Sequence, residues 1–414
     1  MALGRHNCQH SSAGHHRFDV RHAYSGLANS LFASPGQRHA GLVEPRPGFC
    51  RRLTLRHAIV ILSLLGLRRS REAQRKNKQE PSTGPSVFRE LKDRLITTEH
   101  IPVLLDEVIE TLDVRPGLTY VDVTAGAGGH LARIAELTEG KSKLYAFDRD
   151  QGSLNKLKEQ FGDSVTLVHS NFRYLKEALS QYGVNTIDGG ILADLGVSSM
   201  QIDQGERGFS FQKDGPLDMR MDRSESLSAW NIVNEWPEHA LADIIYKYGE
   251  ERHSRKIANR IVANRPVENT LALADIVARC LPRSSDKKNG KKKFGSAGGG
   301  YIHPATRTFQ AIRMAVNEEL ESLEDFLRDS LSILKPGARL VVITFHSLED
   351  RIVKQFFKMA AASCICPPRA PVCTCAKQTE VLIITRKPVT ASEQELLANT
   401  RSRSAKLRGA QKLT

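Results

Sequence analysis

Between Leu118 and Asp148 the chain runs strand, glycine turn, helix, strand, acid, an order that few folds accommodate. Leu118 to Val123 is a strand-like run, Thr124-Ala-Gly-Ala-Gly-Gly-His130 is a glycine loop leading into a helical stretch, and Lys143 to Phe147 is a second strand ending on Asp148. The alternation continues. A helical pattern spans Asp150 to Gln160, a strand Val165 to Val168, a helix Tyr174 to Gln181, and Ile187 to Ala193 enters Asp194. Strands alternating with helices predict a parallel sheet covered on both faces. In such a sheet, ligands sit outside the carboxyl ends of the strands, where strand order reverses. Gly126, Gly128 and Gly129 lie there, and Asp148 follows Gly126 by 22 residues, placed for two ribose hydroxyls. That spacing suits any nucleoside-containing cofactor. The dinucleotide fingerprint needs a third glycine where Leu131 stands, which disfavours a pyrophosphate cradle and hence a nicotinamide-dependent oxidoreductase.

From about Gly205 to Pro304 the rhythm breaks into helical stretches over Trp230–Tyr248, Arg252–Asn264 and Leu271–Cys280, followed by a Lys/Gly-rich loop from Arg283 to Gly300. This reads as an inserted helical lobe. The α/β pattern then resumes with a helix from about Thr308 to Leu334 and a strand from Arg339 to Phe345.

The +14 net charge is unevenly placed, because residues 1–71 carry eleven Arg and no Lys against only Asp19 and Glu44. Such Arg-rich, acid-poor ends read as organelle transit peptides. The one apolar run there, Ala58 to Leu67, has about half of the ~20 residues needed to cross a bilayer, so no membrane insertion is expected. Seven Cys is an odd count that suits a reducing compartment better than a disulfide framework. Cys364, Cys366, Cys373 and Cys375 form two Cys-x-Cys pairs. That spacing is tighter than the usual zinc pattern, so the reading is a flexible loop of free thiols with no metal ligand assigned.

Ten motifs in order resemble one family. They are His100-Ile-Pro-Val103, Gly128-Gly129-His130, Phe147-Asp-Arg-Asp150, Asp194-Leu-Gly-Val-Ser-Ser199, Glu206-Arg-Gly-Phe-Ser210, Gly215-Pro-Leu-Asp-Met-Arg-Met-Asp222, Tyr248-Gly-Glu-Glu251, Thr308-Phe-Gln-Ala-Ile-Arg313, Phe345-His-Ser-Leu-Glu-Asp-Arg351 and Arg403-Ser-Ala-Lys-Leu-Arg408. Together they resemble the bacterial RsmH (MraW) family over residues 97 to 413. The resemblance implies a Rossmann-like S-adenosyl-L-methionine-dependent methyltransferase core with a helical insertion domain. It also implies methylation of N4 of a cytidine in the decoding region of small-subunit ribosomal RNA. Its cofactor contacts fall on Gly128, Gly129, His130, Asp148, Phe172, Asp194 and Gln201, while the candidate catalytic residues are Asp194 and Ser198, where amino-methyltransferases usually put an acid or amide, and His346, which follows a core strand near the cleft.

The expected organisation is a transit peptide at 1–71, a linker at 72–96, a core split into 97–206 and 307–414, and a helical insertion at 207–306 that receives the RNA. The carboxyl end reads as a basic tail. Methylation at C5 would instead need a Cys nucleophile, and no Cys ends a core strand beside the glycine turn. His346 is either a proton shuttle or a loop-holding residue, and Asp218, Arg220 and Asp222 either clamp the base or fasten the insertion. RNA contact is expected from Arg283, Lys287, Lys288, Lys291, Lys292 and Lys293, and from Arg386, Lys387, Arg401, Arg403, Lys406 and Arg408. The partner is small-subunit ribosomal RNA or the small subunit itself, with a homodimer as a candidate assembly. The compartment is the chloroplast, with the mitochondrion as alternative. The other function class is a ribosome-assembly factor that keeps the fold without catalysis.

Overall fold

The computed structural model describes residues 101–280, 303–367 and 372–414. The expected transit segment, the linker and the Lys/Gly-rich loop with its six cations lie outside the described residues. In chain order the main elements are α1 (Leu105–Leu112), β1 (Thr119–Asp122), α2 (Gly129–Thr138), β2 (Lys143–Asp148), α3 (Gln151–Phe161), β3 (Thr166–His169), α4 (Leu175–Gln181), β4 (Gly190–Asp194) and α5 (Ser199–Asp203). The insertion contributes α6 (Ala229–Glu235), α7 (Glu238–Lys247), α8 (Ser254–Ala263) and α9 (Thr270–Cys280). There follow α10 (Thr306–Asn317), α11 (Glu319–Ile333), β5 (Arg339–Thr344), α12 (Ser347–Ala360), β6 (Val381–Ile383), α13 (Glu393–Ala398) and β7 (Lys406–Lys412). Among the described residues no helix is long and apolar enough to cross a membrane.

The strands form one seven-stranded sheet in the order β3-β2-β1-β4-β5-β7-β6. Strands β1 to β5 are parallel, and β7 runs antiparallel between β5 and β6. Side chains alternate between the two faces of a strand, so a strand buried on both sides must be apolar at nearly every position. The sheet follows that rule. Tyr120, Leu144, Ala146, Leu192, Val341 and Ile343 join one apolar cluster, while their neighbours Val121, Tyr145, Phe147, Ile191, Val342 and Leu340 join the other.

Three sequence expectations need correction. The helical stretch Trp230–Tyr248 is two helices, because Pro237 forces Trp236 into extended backbone and restarts the chain as α7. The helix expected over Thr308–Leu334 breaks at Glu318, whose φ of 48° is left-handed. Upstream of the break Phe309 and Ile312 pack into the insertion's own core; downstream Leu323, Phe326 and Leu327 pack against the sheet. Helical periodicity persists across the break and conceals the change of partner. The lobe's packing therefore extends past 306, through α10.

The third correction concerns the carboxyl end. It is not a tail, because Lys406–Lys412 zips onto β5 over six residue pairs. Arg408 is buried and its Nε donates to Asp350 Oδ1 at 2.7 Å, while Lys406 Nζ lies 3.3 Å from Asp350 Oδ2. These two cations are spent on a fold contact rather than offered to phosphate. Arg401 likewise reaches Asp203 at 3.0 Å, whereas Arg386 and Lys387 are exposed.

Asn317 stitches the insertion to the core at the helix break. Buried, it donates to Met219 O (2.8 Å) and Arg313 O (2.9 Å), and accepts from Met221 N at 2.8 Å. Asn317→Ala should therefore destabilise the protein by about 2–4 kcal/mol, since it strands buried backbone groups. Urea unfolding measures this, and a shift within about 0.5 kcal/mol, as for an ordinary surface change, would contradict the assignment.

Candidate active site

The chain fills β1, β2 and β3 outward in one direction, then returns to place β4 on the other side of β1. At this reversal, beyond the carboxyl ends of β1 and β4, a cavity of about 540 Å³ opens. That volume is typical of a small-molecule site. The glycine turn forms its floor. Ala125 N donates to Phe147 O at 2.9 Å and Gly128 N to Ala125 O at 2.7 Å, so the turn doubles back tightly. Gly128 has φ +79°, and a Cβ there would meet Leu157 Cδ2 at 2.6 Å. At Gly129 a Cβ would meet Pro102 Cγ at 2.3 Å. Neither position admits a side chain, and at Gly129 the backbone itself faces the cavity.

Eight of the nine site residues named from sequence line this space: Gly129, His130, Asp148, Phe172, Asp194, Ser198, Gln201 and His346. Gly128 does not; it caps α2 from below, and Gly126 lines the cavity in its place. Asp148 is held by two backbone donors, Gly126 N on Oδ2 (2.9 Å) and Asp150 N on Oδ1 (2.8 Å). Each oxygen retains a further lone pair, so the carboxyl can still accept two hydroxyl groups. Burial nevertheless raises its pKa to about 6. Phe172 stands edge-on to Phe326 with ring centroids 5.5 Å apart, which fixes it as an apolar wall.

Asp194 is the least satisfied group in the site. Its backbone N donates to Thr124 Oγ1 at 2.6 Å, but its buried Oδ1 has no hydrogen-bond partner. Burial pushes its pKa well above the ordinary carboxylate range, and the nearby Asp122 and Glu349 charges push it further. His130 offers no compensating charge. Its Nε2 lies 2.9 Å from Val103 O, which can only accept, so the proton sits on Nε2 and a lone pair on Nδ1 faces Asp194 Oδ2 at 3.9 Å. Burial lowers the His130 pKa to about 4, which keeps the ring neutral.

Ser198 and Gln201 act on each other. They close a reciprocal cap on α5, Ser198 Oγ accepting from Gln201 N (3.2 Å) and Gln201 Oε1 from Ser198 N (3.0 Å). Gln201 also donates to Asp150 Oδ2 at 3.3 Å, and Asp150 in turn binds the buried Arg207. The guanidinium continues to Arg220 O (3.0 Å) and Met221 O (3.1 Å). Through this relay the acid after β2 sets the position of the insertion's first loop, which contributes Met221 to the cavity wall. Asp218 pairs with Arg220 at 2.6 Å, and Asp222 accepts from Ser224 N at 2.8 Å; both fasten this loop.

His346 caps α12. Its Nδ1 accepts from Glu349 N at 3.4 Å, and Nε2 lies 3.1 Å from Glu349 Oε1. Nε2 nonetheless lacks an aligned partner, so this is a close polar contact rather than a full hydrogen bond. Burial would raise the Glu349 pKa, but His346, Phe345 N–H and Arg313 outweigh it and hold the carboxyl below its usual range. The donor atoms of Glu319, His346 and Glu349 lie within 4.8 Å of one another, as for a metal site. Arg313 already supplies the cation, since its Nε and one terminal nitrogen each donate to a Glu319 oxygen at 2.7 Å.

Sequence reasoning passed over Arg313, Glu319, Phe309, Gln310 and Met221 as cavity residues. They come from the insertion seam; Phe309, Gln310, Arg313 and Met221 were signalled only by membership of motifs such as Thr308 to Arg313, and Glu319 by none.

The MraW methylase family model matches residues 97–413 of this chain. A protein of Brevibacillus brevis named ribosomal RNA small subunit methyltransferase H is 47% identical over 325 residues, covering 77% of this chain and 99% of the relative. A protein of the same name from Symbiobacterium thermophilum is 49% identical over 320 residues, covering 76% and 96%. Another of that name, from Pelobacter propionicus, is 49% identical over 322 residues, covering 76% and 99%.

The buried acid Asp122, beneath the cavity, yields a pH test. Burial raises its pKa to about 7, so the folded state favours its neutral form. The stabilisation from protonation is complete below the ordinary carboxylate range and is lost as pH rises through about 7. Asp122 Oδ1 accepts from Thr124 N (3.1 Å), a bond that Asn retains. Asp122→Asn should therefore melt higher than the parent at pH 8, with the gap closing toward pH 4; a gap independent of pH would refute the assignment.

Proposed function

The chain belongs to the MraW methylase family, and from that premise we propose that it methylates N4 of a cytidine in the decoding region of an organellar small-subunit ribosomal RNA. It is an S-adenosyl-L-methionine-dependent small-subunit rRNA methyltransferase, and the finer assignment concerns the atom, the nucleotide and the compartment. One observation carries the choice of chemistry: the Asp194 carboxyl, 24% exposed at the end of β4, lines the cavity beside the glycine turn and Asp148 while its buried Oδ1 has no hydrogen-bond partner.

The residues fit the methyl donor. The backbone left bare at Gly129 admits close approach, Asp148 retains acceptor capacity for a ribose, and Phe172 provides an apolar face for a base. When bound, the donor supplies an electrophilic methyl on a positively charged sulfonium. The acceptor amine of cytosine is a weak nucleophile because its lone pair is delocalised into the ring. The Asp194 carboxyl lines the cavity where it can accept a hydrogen bond from that amine, which draws the nitrogen toward pyramidal geometry and stabilises the positive charge it develops. A cation beside Asp194 lowers the cost of ionising it, so the raised pKa of the free site suits a carboxyl that becomes charged only with ligands in place. Neutral His130 holds the wall without competing for that charge. Ser198 supports this placement by capping α5, and the imidazole of His346, contacting Glu349, is the nearby group suited to pass a released proton outward.

The Arg-rich segment before residue 72 supports the organellar reading, with the chloroplast favoured over the mitochondrion for its Ser/Ala/Gly/His-rich composition. Purified protein incubated with small subunits should form N4-methylcytidine, read by nucleoside mass spectrometry. Asp148→Ala and Asp194→Ala should each reduce it by about 10²-fold or more. Unaltered activity in both would sink the mechanism. Mass spectrometry of chloroplast and mitochondrial rRNA from cells lacking the protein identifies the nucleotide and the compartment, and a modification unchanged in both organelles overturns the assignment.

A further inference from the structure

Away from the cavity, the segment joining α12 to β6 gathers four cysteines. The Sγ atoms of Cys364 and Cys373 are 3.5 Å apart, Cys373 and Cys375 3.6 Å, Cys375 and Cys364 3.8 Å, and Cys366 and Cys373 3.9 Å. All four lie within 4.8 Å of one another. Disulfide bonding needs about 2.05 Å, and these are free thiols. A tetrahedron with zinc–sulfur bonds of ~2.3 Å has sulfur–sulfur edges of about 3.8 Å, which the four separations bracket. Each Cys-x-Cys pair supplies two corners, so the spacing that reads as unfavourable along the chain is resolved by pairing two such turns face to face.

Backbone donors support two of the sulfurs. Ile365 N donates to Cys375 Sγ at 3.4 Å and Cys366 N to Cys364 Sγ at 3.4 Å, the kind of support that orients metal-bound sulfur. Ala376, with φ 48°, turns the chain sharply just after Cys375. The segment has little apolar packing of its own, because Ile365 and Val372 are exposed, 58% and 70%. At its base Glu380 N donates to Ala360 O at 2.9 Å, so the cysteine-bearing excursion is closed there. Four convergent sulfurs are the feature that can order it.

We propose that Cys364, Cys366, Cys373 and Cys375 form a closed tetrathiolate site for one zinc ion. Binding forms four Zn–S bonds and releases the thiol protons to solvent, with no change of oxidation state. With all four positions filled by protein the ion has no open coordination position, so its role is structural: it clamps the approach to β6, one of the two edge strands of the sheet.

The test uses the full chain, expressed with zinc and purified without chelator. Elemental analysis should find about one zinc per chain. The double variant Cys364→Ser/Cys373→Ser should fall to about a tenth of that or less, while Cys280→Ala, altering a buried cysteine of the insertion, should keep its metal. Cobalt substitution of the parent should give the intense visible bands of a tetrahedral tetrathiolate, a readout independent of methyl transfer and of how the variants fold. Parent protein with less than about a tenth of an equivalent of zinc, and four loop thiols freely reactive with a disulfide reagent, overturns the proposal. So does peptide mapping that finds these cysteines in disulfides.

Discussion

Carboxyl groups collected at the carboxyl ends of parallel strands must be neutralised or left protonated, and the cavity is organised around that constraint. Asp122, Asp148 and Asp194 end β1, β2 and β4, and Glu319 and Glu349 approach from helices. Burying an uncompensated carboxylate costs several kcal/mol, so each acid needs a partner or a proton. Asp148 takes backbone N–H groups from the turn it faces, Asp150 takes Arg207, Glu319 takes Arg313, and Glu349 takes His346 and Phe345 N–H. Asp194 is left with an unused lone pair on Oδ1 and a pKa that burial pushes well above the carboxylate range. An active site needs one group that is unsatisfied until its ligands arrive; Asp122 also favours its proton, but among the described acids Asp194 alone keeps a buried carboxyl oxygen with no hydrogen-bond partner.

The same pairs join the two parts of the protein. Asp150, immediately after β2, reaches through Arg207 to the backbone of Arg220 and Met221, and Asn317 closes the seam from the far side of the insertion. The break at Glu318 lets α10 serve the insertion and α11 serve the sheet. Thus the wall that faces a substrate and the floor that faces a cofactor share one hydrogen-bonded framework. The Arg313–Glu319 pair, on either side of that break, places a satisfied charge at the junction.

Much of this could be read along the chain because it is written in local patterns. The glycine turn and the acid 22 residues later declare a βαβ unit, and the near-continuous apolar runs Leu118–Val123 and Arg339–Phe345 declare strands buried on two faces. Less legible were elements defined by their partners. Lys406–Lys412 is polar enough to pass for a tail, and pairing with β5, together with the Asp350 contact to Arg408 more than fifty residues apart, makes a buried strand of it. The Thr308–Leu334 periodicity is unbroken although the helix is not, because apolar spacing records that a face is buried but not against what.

By itself, then, the sequence determined the α/β core, the family, and the residue types at the glycine turn and strand ends, since these depend on neighbours a few positions away. Tertiary structure decided which acid remained unpaired, where the insertion's wall met the cofactor floor, and how two tight cysteine pairs could present four sulfurs to one point. Those outcomes depend on groups that chain separation hides, and electrostatic partnership in a low-dielectric interior is set by distance in space rather than along the chain.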